Sequence, residues 1–446
     1  MNAKNFSRKN FIKQLALTGA AASVSDLLFV GIPSSFFSFY KTDNVEYFTN
    51  AQPEYETLRH GFNKRIDKHP KIIALCKNTN GVAEAIKYAK ANNLPVAIKS
   101  GGHCMEGFSC NNNGLVVNLS LLNKINRLDA ETISVGPALL LKDLYAAVLP
   151  KGKILPGGSC QTVALGGLAL GGGYGLLSRQ FGLTCDSLIK VEMIDGNGNI
   201  ISTDNDNELL WGCKGGANGN FGVITKMDFK LHPAPALMQS FRFRYRNIPV
   251  EKVKPLVEEW FALAATLPEH CFSAIVVNSK AVYILLTSTK KTTDDIAQQI
   301  QKLTAITTSV QHTPPKVLQQ ALKAYYAEDH PVYFKNASAG LYHNFNDINK
   351  CFEDVLAVIK KSPGIIFQVN TLGGKVQDET FQQQSSFPYR QYNFFSELQA
   401  YYETPAQAKP LIDKFEQIQK LFYQNGIFAQ YRNYPDVNFK NPLQQY

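Results

Sequence analysis

Long apolar runs, paired cysteines and blocks of one charge are all missing from this 446-residue chain. No apolar stretch reaches the ~20 residues that a membrane-spanning helix needs, so an integral span is not expected. Eight cysteines are too sparse for a disulfide scaffold, and none falls in a CxxC pair that would suggest a metal site. Cys104 and Cys110 are near enough in sequence to bridge, which sequence alone does not decide. Basic residues outnumber acidic ones by 46 to 36, a net charge of +10. They are scattered among acids rather than gathered into a stripe, which argues for a solvated surface and against a nucleic-acid partner. The Gly-Lys-Ser/Thr of a P-loop is absent, as is a GxGxxG following a strand. Internal repeats and low-complexity tracts are absent too.

What is present is an ordinary globular composition, 45% hydrophobic and 18% charged, long enough for two or three domains of ~100–200 residues. Residues 1–38 read as an export segment. Lys4, Arg8, Lys9 and Lys13 form a basic start, and Leu15 to Val24 is a short apolar stretch of small residues. Ser7-Arg8-Lys9-Asn10-Phe11-Ile12-Lys13 is similar to a twin-arginine signal with Lys for the second Arg. That makes the protein periplasmic or secreted, the alternative being cytoplasmic.

The folded part starts near Asn44. Lys71–Cys76 reads as a buried strand, and Thr79 or Asn80 caps a helix with Val82, Ala85, Ile86 and Ala89 on one face. Pro95–Ile98 is the next strand and runs into Lys99-Ser100-Gly101-Gly102-His103, a turn whose backbone N–H groups can converge on a phosphate. Leu115–Leu119 and Thr132–Val135 are strands, Leu139–Leu149 a helix, and Ile189–Ile194 with Ile200–Ser202 a hairpin. Glu208–Trp211 begins a helix, and Gly222–Leu231 is a long alternating strand. After Pro233-Ala234-Pro235 the pattern changes to strands (Phe241–Tyr245, Ala274–Val277, Val282–Thr287) interleaved with one-sided helices (Lys252–Ala265, Asp294–Leu303). That is a second sheet covered by helices, with a pocket expected between the domains.

The stretch Leu155–Asp186 holds nine of the 31 glycines. Its Leu, Val and Ala content makes it too apolar for a linker, so it reads as ordered backbone laid against a large ligand, the alternative being a buried turn. His103 follows Gly101-Gly102, and Cys160 follows Gly157-Gly158-Ser159. Each alone would pass as a satisfied histidine or an apolar filler. Their occurrence in order with the glycine runs changes that.

Together these motifs resemble the berberine-bridge-enzyme-like family of FAD-linked oxidases, with the vanillyl-alcohol-oxidase or PCMH-type fold. The residues that carry the resemblance begin with Lys99 through Ser109, similar to the family's (R)SGGHSxEGxS. They continue with Gly157–Val163, Gly166-Gly167, Gly171-Gly172-Gly173-Tyr174-Gly175 and Gly182–Asp186, then Gly215-Gly216 through Asn220-Phe221-Gly222-Val223. Phe387-Pro388-Tyr389-Arg390 is similar to F-P-H-R, and Tyr431–Asp436 to Y-x-N-Y-x-D.

The resemblance implies an α+β, two-domain protein. Its parts would be an FAD-binding domain over residues 45–233, a substrate domain over 236–425, and the start of a returning segment at 426–446. The family continues after that segment, whereas this sequence stops at Leu443-Gln444-Gln445-Tyr446. The resemblance also implies FAD bonded covalently to His103 and Cys160. Lys99, Ser100, Gly101, Gly102, Val163, Gly166, Gly167, Gly171, Gly172, Gly173, Gly222 and Val223 would line the cofactor. Tyr434 is implied as the base, Glu397 as the group that activates it, and Tyr174 as a further active-site tyrosine. Valine at 163 is implied to favour dioxygen access and hence an oxidase. The expected reaction takes hydride from a small-molecule alcohol or carbohydrate carbon and passes electrons to dioxygen, in a monomer. A dehydrogenase with a quinone-like acceptor and a non-catalytic flavin- or ligand-binding protein are the alternatives.

Overall fold

The computed structural model describes residues 41–439, apart from 217, 292–296, 298–300, 302–307, 327 and 328. The expected export segment lies outside these, as do all but two residues of the expected helix Asp294–Leu303. All eight cysteines are free thiols, so Cys104 and Cys110 do not bridge.

Four strands form the first sheet: β1 (Val45–Phe48), β2 (Ile72–Cys76), β3 (Val96–Lys99) and β4 (Leu115–Asn118), in the order β1-β2-β4-β3. β4 runs parallel to both β2 and β3. Every residue of β2 is buried, as the unbroken run Ile-Ile-Ala-Leu-Cys requires of a parallel strand covered on both faces. The helix Thr79–Ala91 packs Val82, Ala85, Ile86 and Ala89 on it, as their spacing predicts. Its cap is Asn78, one residue earlier than expected, because the Asn78 side chain accepts the Gly81 N–H from an extended backbone.

The second sheet holds β5 (Ile125–Leu128), β6 (Thr132–Val135), β8 (Leu188–Ile194), β9 (Ile200–Ser202) and β10 (Val223–Lys230), in the order β5-β6-β10-β8-β9. The short β7 (Lys153–Ile154) pairs with β11 (His232–Pro233). The expected alternation along β10 is absent. β10 is the central strand, register shifts interrupt it, and six of its eight residues are buried. A strand covered on both faces has no solvent side to mark with polar residues.

Seven antiparallel strands make the third sheet, in the order β15-β12-β14-β13-β17-β18-β16. They are β12 (Leu237–Arg246), β13 (Cys271–Asn278), β14 (Ala281–Ser288), β15 (Ser309–Val317), β16 (Tyr333–Tyr342), β17 (Ile365–Thr371) and β18 (Phe394–Tyr402). The helices Val250–Ala265, Asn346–Lys360 and Ala408–Gln424 bury Trp260, Phe352, Phe415 and their neighbours on one face. The other face carries Glu397, Gln399 and Tyr401 of β18, which period two places together. The expected α+β organisation, with helices over an antiparallel sheet, is the one observed.

The glycine-rich stretch owes much of its composition to packing. A Cβ on Gly175 would lie 1.8 Å from the Gly157 carbonyl oxygen, a backbone atom that cannot retreat. A Cβ on Gly167 would meet nothing within 4 Å. Gly175→Ala is therefore expected to destabilise the fold by ~3 kcal/mol or more, while Gly167→Ala should stay within ~0.5 kcal/mol of the parent. Thermal unfolding of the two variants checks this, and equal midpoints would contradict it.

Candidate active site

Two loops from the first two sheets meet at His103. β3 ends at Lys99, whose ammonium donates to the carbonyls of Leu58 and His60. Ser100 Oγ donates to the Pro137 carbonyl at 2.7 Å. Both side chains therefore anchor the turn to the protein. Gly102 follows with φ +76, a left-handed conformation that costs glycine little. The His103 ring stacks on Phe62 at 4.2 Å, and its Nε2 lies 2.8 Å from Thr162 Oγ1. Burial pulls its pKa down to about 4, so the imidazole is neutral at pH 7 and keeps a free lone pair. The Thr162 contact ties the His103 loop to the Cys160 loop, and the residue types alone did not single Thr162 out.

Cys160 faces the polar side of the seven-stranded sheet. Its thiol is pushed up to about 11, by burial first and by the Glu397 charge second. Glu397 is buried on β18 and accepts from Asn336 Nδ2 at 3.1 Å. Burial raises its pKa, opposed by hydrogen bonds from Asn336, Gln399 and Asn370. The Tyr434 phenol is raised well above the usual tyrosine value by burial, and further by Glu397, Tyr431, Cys160 and Tyr174. Tyr174 is raised in the same way and donates to the Thr371 carbonyl at 2.5 Å. The structure thus brings Cys160, Glu397, Tyr434 and Tyr174 into one electrostatic neighbourhood. Tyr401 joins them, raised by burial and then by Glu397 and Cys160. It lies four residues after Glu397 on the same face of β18, so the alternation of the strand was the signal that could have found it.

Gly171, Gly172 and Gly173 dock the segment that carries Tyr434. A Cβ on Gly171 would lie 2.1 Å from Asn433 Oδ1, and one on Gly172 would lie 2.9 Å from the Phe387 ring. The Tyr431 hydroxyl accepts the N–H groups of Gly173 and Tyr174 at 3.1 and 3.0 Å. Asn433 Nδ2 donates to the Leu168 carbonyl at 2.9 Å. Arg390 holds Asp186 at 2.5 Å, joining the Phe387–Arg390 motif to the end of the glycine-rich stretch. Gly166 presses on Pro137, and Gly222 on the Ile194 carbonyl, with Val223 buried beside it at the start of β10. Val163 is half-buried beside the Cys160 loop, and its carbonyl accepts the Leu141 N–H.

Other backbone is left open. Among the described residues, the N–H groups of Gly101, Gly102 and His103, and those from Gly158 to Thr162, have no hydrogen-bond acceptor. Gly102 is buried, where an unpaired N–H is unfavourable. Convergent free N–H groups suit an anion such as a pyrophosphate, and the neutral imidazole and nearby thiol suit an aromatic ring with electrophilic carbons. These residues fit a flavin dinucleotide.

Residues 70–204 match the FAD binding domain family. The Bacillus subtilis protein named "Uncharacterized FAD-linked oxidoreductase YgaK" is 40% identical over 192 residues, 42% of this chain and 43% of its own length. Berberine bridge enzyme-like 8 of Arabidopsis thaliana is 30% identical over 254 residues, 55% of this chain and 47% of its own. The chain thus carries an FAD binding domain and is similar to berberine bridge enzyme-like and other FAD-linked proteins. It spans about half the length of the curated relatives it matches. The solved structure of Physcomitrella patens BBE-like 1 has the same fold, with a TM-score of 0.82 and 20% identity over 90% of this chain and 91% of that one.

A buried ion cluster joins the two halves of the site. Lys335 of β16 donates to Glu106 Oε1 and lies 2.7 Å from Asp436 Oδ1, and each of the three side chains is at most 2% exposed. Arg65 adds a contact to Glu106 at 3.0 Å. Glu106 is three residues from His103, and Asp436 is two from Tyr434. Removing the cation alone would leave two buried carboxylates facing each other. Lys335→Met should therefore destabilise the protein by ~3–5 kcal/mol. Adding Glu106→Gln and Asp436→Asn should recover most of that loss, and urea titration of both variants checks the order.

Glu397 sets a second expectation. Its pKa is raised in the fold above the ordinary 4.5, so the unfolded chain releases this proton first as pH rises. The cost of burying the carboxylate is absent below 4.5 and grows as pH climbs towards the folded value. Glu397→Gln should therefore gain stability on the parent between pH 4 and pH 8, measured by denaturant midpoints. A difference that stays constant with pH would overturn the burial argument.

Proposed function

We propose that this chain is an FAD-linked oxidase of alcohol or carbohydrate C–H bonds. The carrying observation is that one neighbourhood holds the buried Glu397 with the half-buried Cys160, Tyr434 and Tyr174, tied through Thr162 to a neutral His103. Bound FAD would supply the redox chemistry, accepting hydride from the alcohol carbon and returning the electron pair to dioxygen as hydrogen peroxide.

The residues divide the remaining work. The free N–H groups of Gly101–His103 and Gly158–Thr162 would hold the cofactor's phosphates and ring edge. His103 nitrogen and Cys160 sulfur would each be tethered covalently to the flavin, one at its methyl-bearing edge and one at the neighbouring carbon. Each tether would replace a hydrogen on both partners, the two protons passing to solvent and the two electrons, through the flavin, to dioxygen. The neutral imidazole is ready to do so, whereas the thiol is largely protonated at pH 7, so the His103 bond is the one expected to persist alone. Tyr434 would take the hydroxyl proton of the substrate, Glu397 would orient and tune it, and Tyr174 would form the pocket wall. Because burial disfavours the Tyr434 phenolate, proton transfer should accompany C–H cleavage rather than precede it. Val163, a small side chain beside Cys160, would leave dioxygen a path to the ring, which favours oxidase over dehydrogenase. The division into domains at 45–233 and 236–425, with a returning segment from 426, belongs to this reading. So do an export role for residues 1–38 and a monomeric state. No helix among the described residues is long and apolar enough to cross a membrane.

Acid precipitation of the purified protein tests the tethers. Yellow colour should stay with the polypeptide in the parent and in Cys160→Ala, and pass to the supernatant in a variant lacking both His103 and Cys160. Free flavin from the parent would remove both tethers. Peroxide release over a panel of alcohols and sugars tests the reaction. Tyr434→Phe should lower it by ~10²–10⁴-fold, and peroxide from no substrate would favour a dehydrogenase or a binding protein. The rate should rise with pH into the alkaline range. Glu397→Gln should shift that rising limb to lower pH, because it removes a charge that raises the Tyr434 phenol.

A further inference from the structure

The polar face of the seven-stranded sheet continues well beyond Glu397. Partners across an antiparallel pair point to the same face, so the register can be followed strand by strand. Glu397 of β18 pairs with Gln368 of β17, and Gln368 pairs with Val276 of β13. Val276 pairs with Tyr283 of β14, and Tyr283 pairs with Arg244 of β12. Arg244 therefore shares the face of the buried carboxylate, four strands away, or ~19 Å at ~4.8 Å per strand.

At that end lies a cavity of about 520 Å³, lined among others by Arg244, Arg246, Lys280, Asn278, Tyr283 and Ile366. It carries three cations, and none of its lining residues is acidic. Among the described residues no carboxylate pairs with Arg244, Arg246 or Lys280. Arg244 is oriented by its Nη2 contact to the Tyr283 hydroxyl at 2.8 Å and lies over that ring at 5.0 Å. Its Nε is buried without a hydrogen-bond partner, a costly state for a charged donor. The cavity also reaches back towards the reacting end. Gly364 in its lining accepts the N–H of Tyr401, the tyrosine under the influence of Glu397 and Cys160.

We propose that this cavity is an anion subsite of the same substrate site, taking a carboxylate, sulfate or phosphate borne by a part of the substrate that reaches Arg244, ~19 Å across the sheet from Glu397. The proposal rests on the reading of Glu397 and Tyr434 as the reacting end. Guanidinium and ammonium groups without carboxylate partners recognise such anions by charge-assisted hydrogen bonds. The amides of Asn278, Gln368 and Gln399 between the two ends suit a hydroxylated body.

Calorimetry on the full flavin-loaded protein tests this without turnover. The probes are cellotriose, cellotriose with its primary alcohols oxidised to carboxylates, and inorganic phosphate, all at 0.15 M ionic strength, a screening condition near physiological. The acidic trisaccharide should bind about tenfold more tightly than the neutral one. That preference should disappear in Arg244→Gln, loss of a charge-assisted contact being worth about tenfold, and shrink by about threefold in Lys280→Gln, whose exposed ammonium is screened by solvent. Lys280 is exposed, so its variant remains informative if Arg244→Gln fails to fold. Equal affinity for the acidic and neutral trisaccharides, or a preference unchanged in Lys280→Gln, would overturn the subsite. Phosphate binding as tightly as the acidic trisaccharide would overturn its assignment to a substrate-borne group. Absence of peroxide from the parent protein over the substrate panel sinks the oxidase reading alone, since the charge preference is read from binding.

Discussion

The buried Lys335 ammonium is the contact on which the site most depends. It is held between Glu106, in the loop that presents His103, and Asp436, in the segment that presents Tyr434. An ammonium removed from water must keep its carboxylate partners, and each carboxylate must keep it. This fixes the spacing between a loop of the first sheet and a segment that follows the last helix. Hydrophobic contact between the sheets could tolerate sliding, but a buried ion cluster cannot. Glycine geometry reinforces it, because Gly171 lets Asn433, and Gly172 lets Phe387, come so near that a Cβ atom would not fit.

Burial also governs the chemistry of the groups so held. The same exclusion of water lowers the histidine and raises the thiol, the carboxyl and the phenols. All of these shifts disfavour charge, and the site around Cys160 and Tyr434 carries little charge of its own beyond Glu397. Such a site suits transfer of a hydride and a proton, in which no separated ions need persist. The basic end of the same sheet face differs, since three cations line its cavity.

Much of this was legible in the primary structure. Runs such as Ile72–Cys76, the helical spacing of Val82, Ala85, Ile86 and Ala89, and the hairpin at residues 196–198 named their elements, because local periodicity and turn chemistry act over a few residues. The order of the glycine motifs, His103, Cys160 and the Tyr431–Asp436 segment was readable for the same reason. Some errors were local: the helix cap at Asn78 turned on which neighbouring side chain could reach Gly81. Others arose where partners were remote, and the buried β10 lost its alternation once both faces were covered. The glycines at 171–173 looked like the floor of a ligand site. Their neighbours are Asn433, Phe387 and Thr184, more than ten and up to 262 positions away in sequence.

By itself, then, the sequence determined the α+β elements, the FAD-binding motifs and the residue types able to hold a flavin and move a proton, since each is a property of short stretches of chain. Tertiary structure alone decided which of them meet: Thr162 with His103, Glu397 with Cys160, Lys335 with two distant carboxylates, and Arg244 on the same sheet face as Glu397. Those meetings depend on strand register and domain packing, whose partners are separated by tens to hundreds of residues and leave no local pattern to read. The glycine-rich stretch Leu155–Asp186 stands at the junction of the two. Its composition announced a close approach, and only the fold showed that much of what approaches is the protein itself.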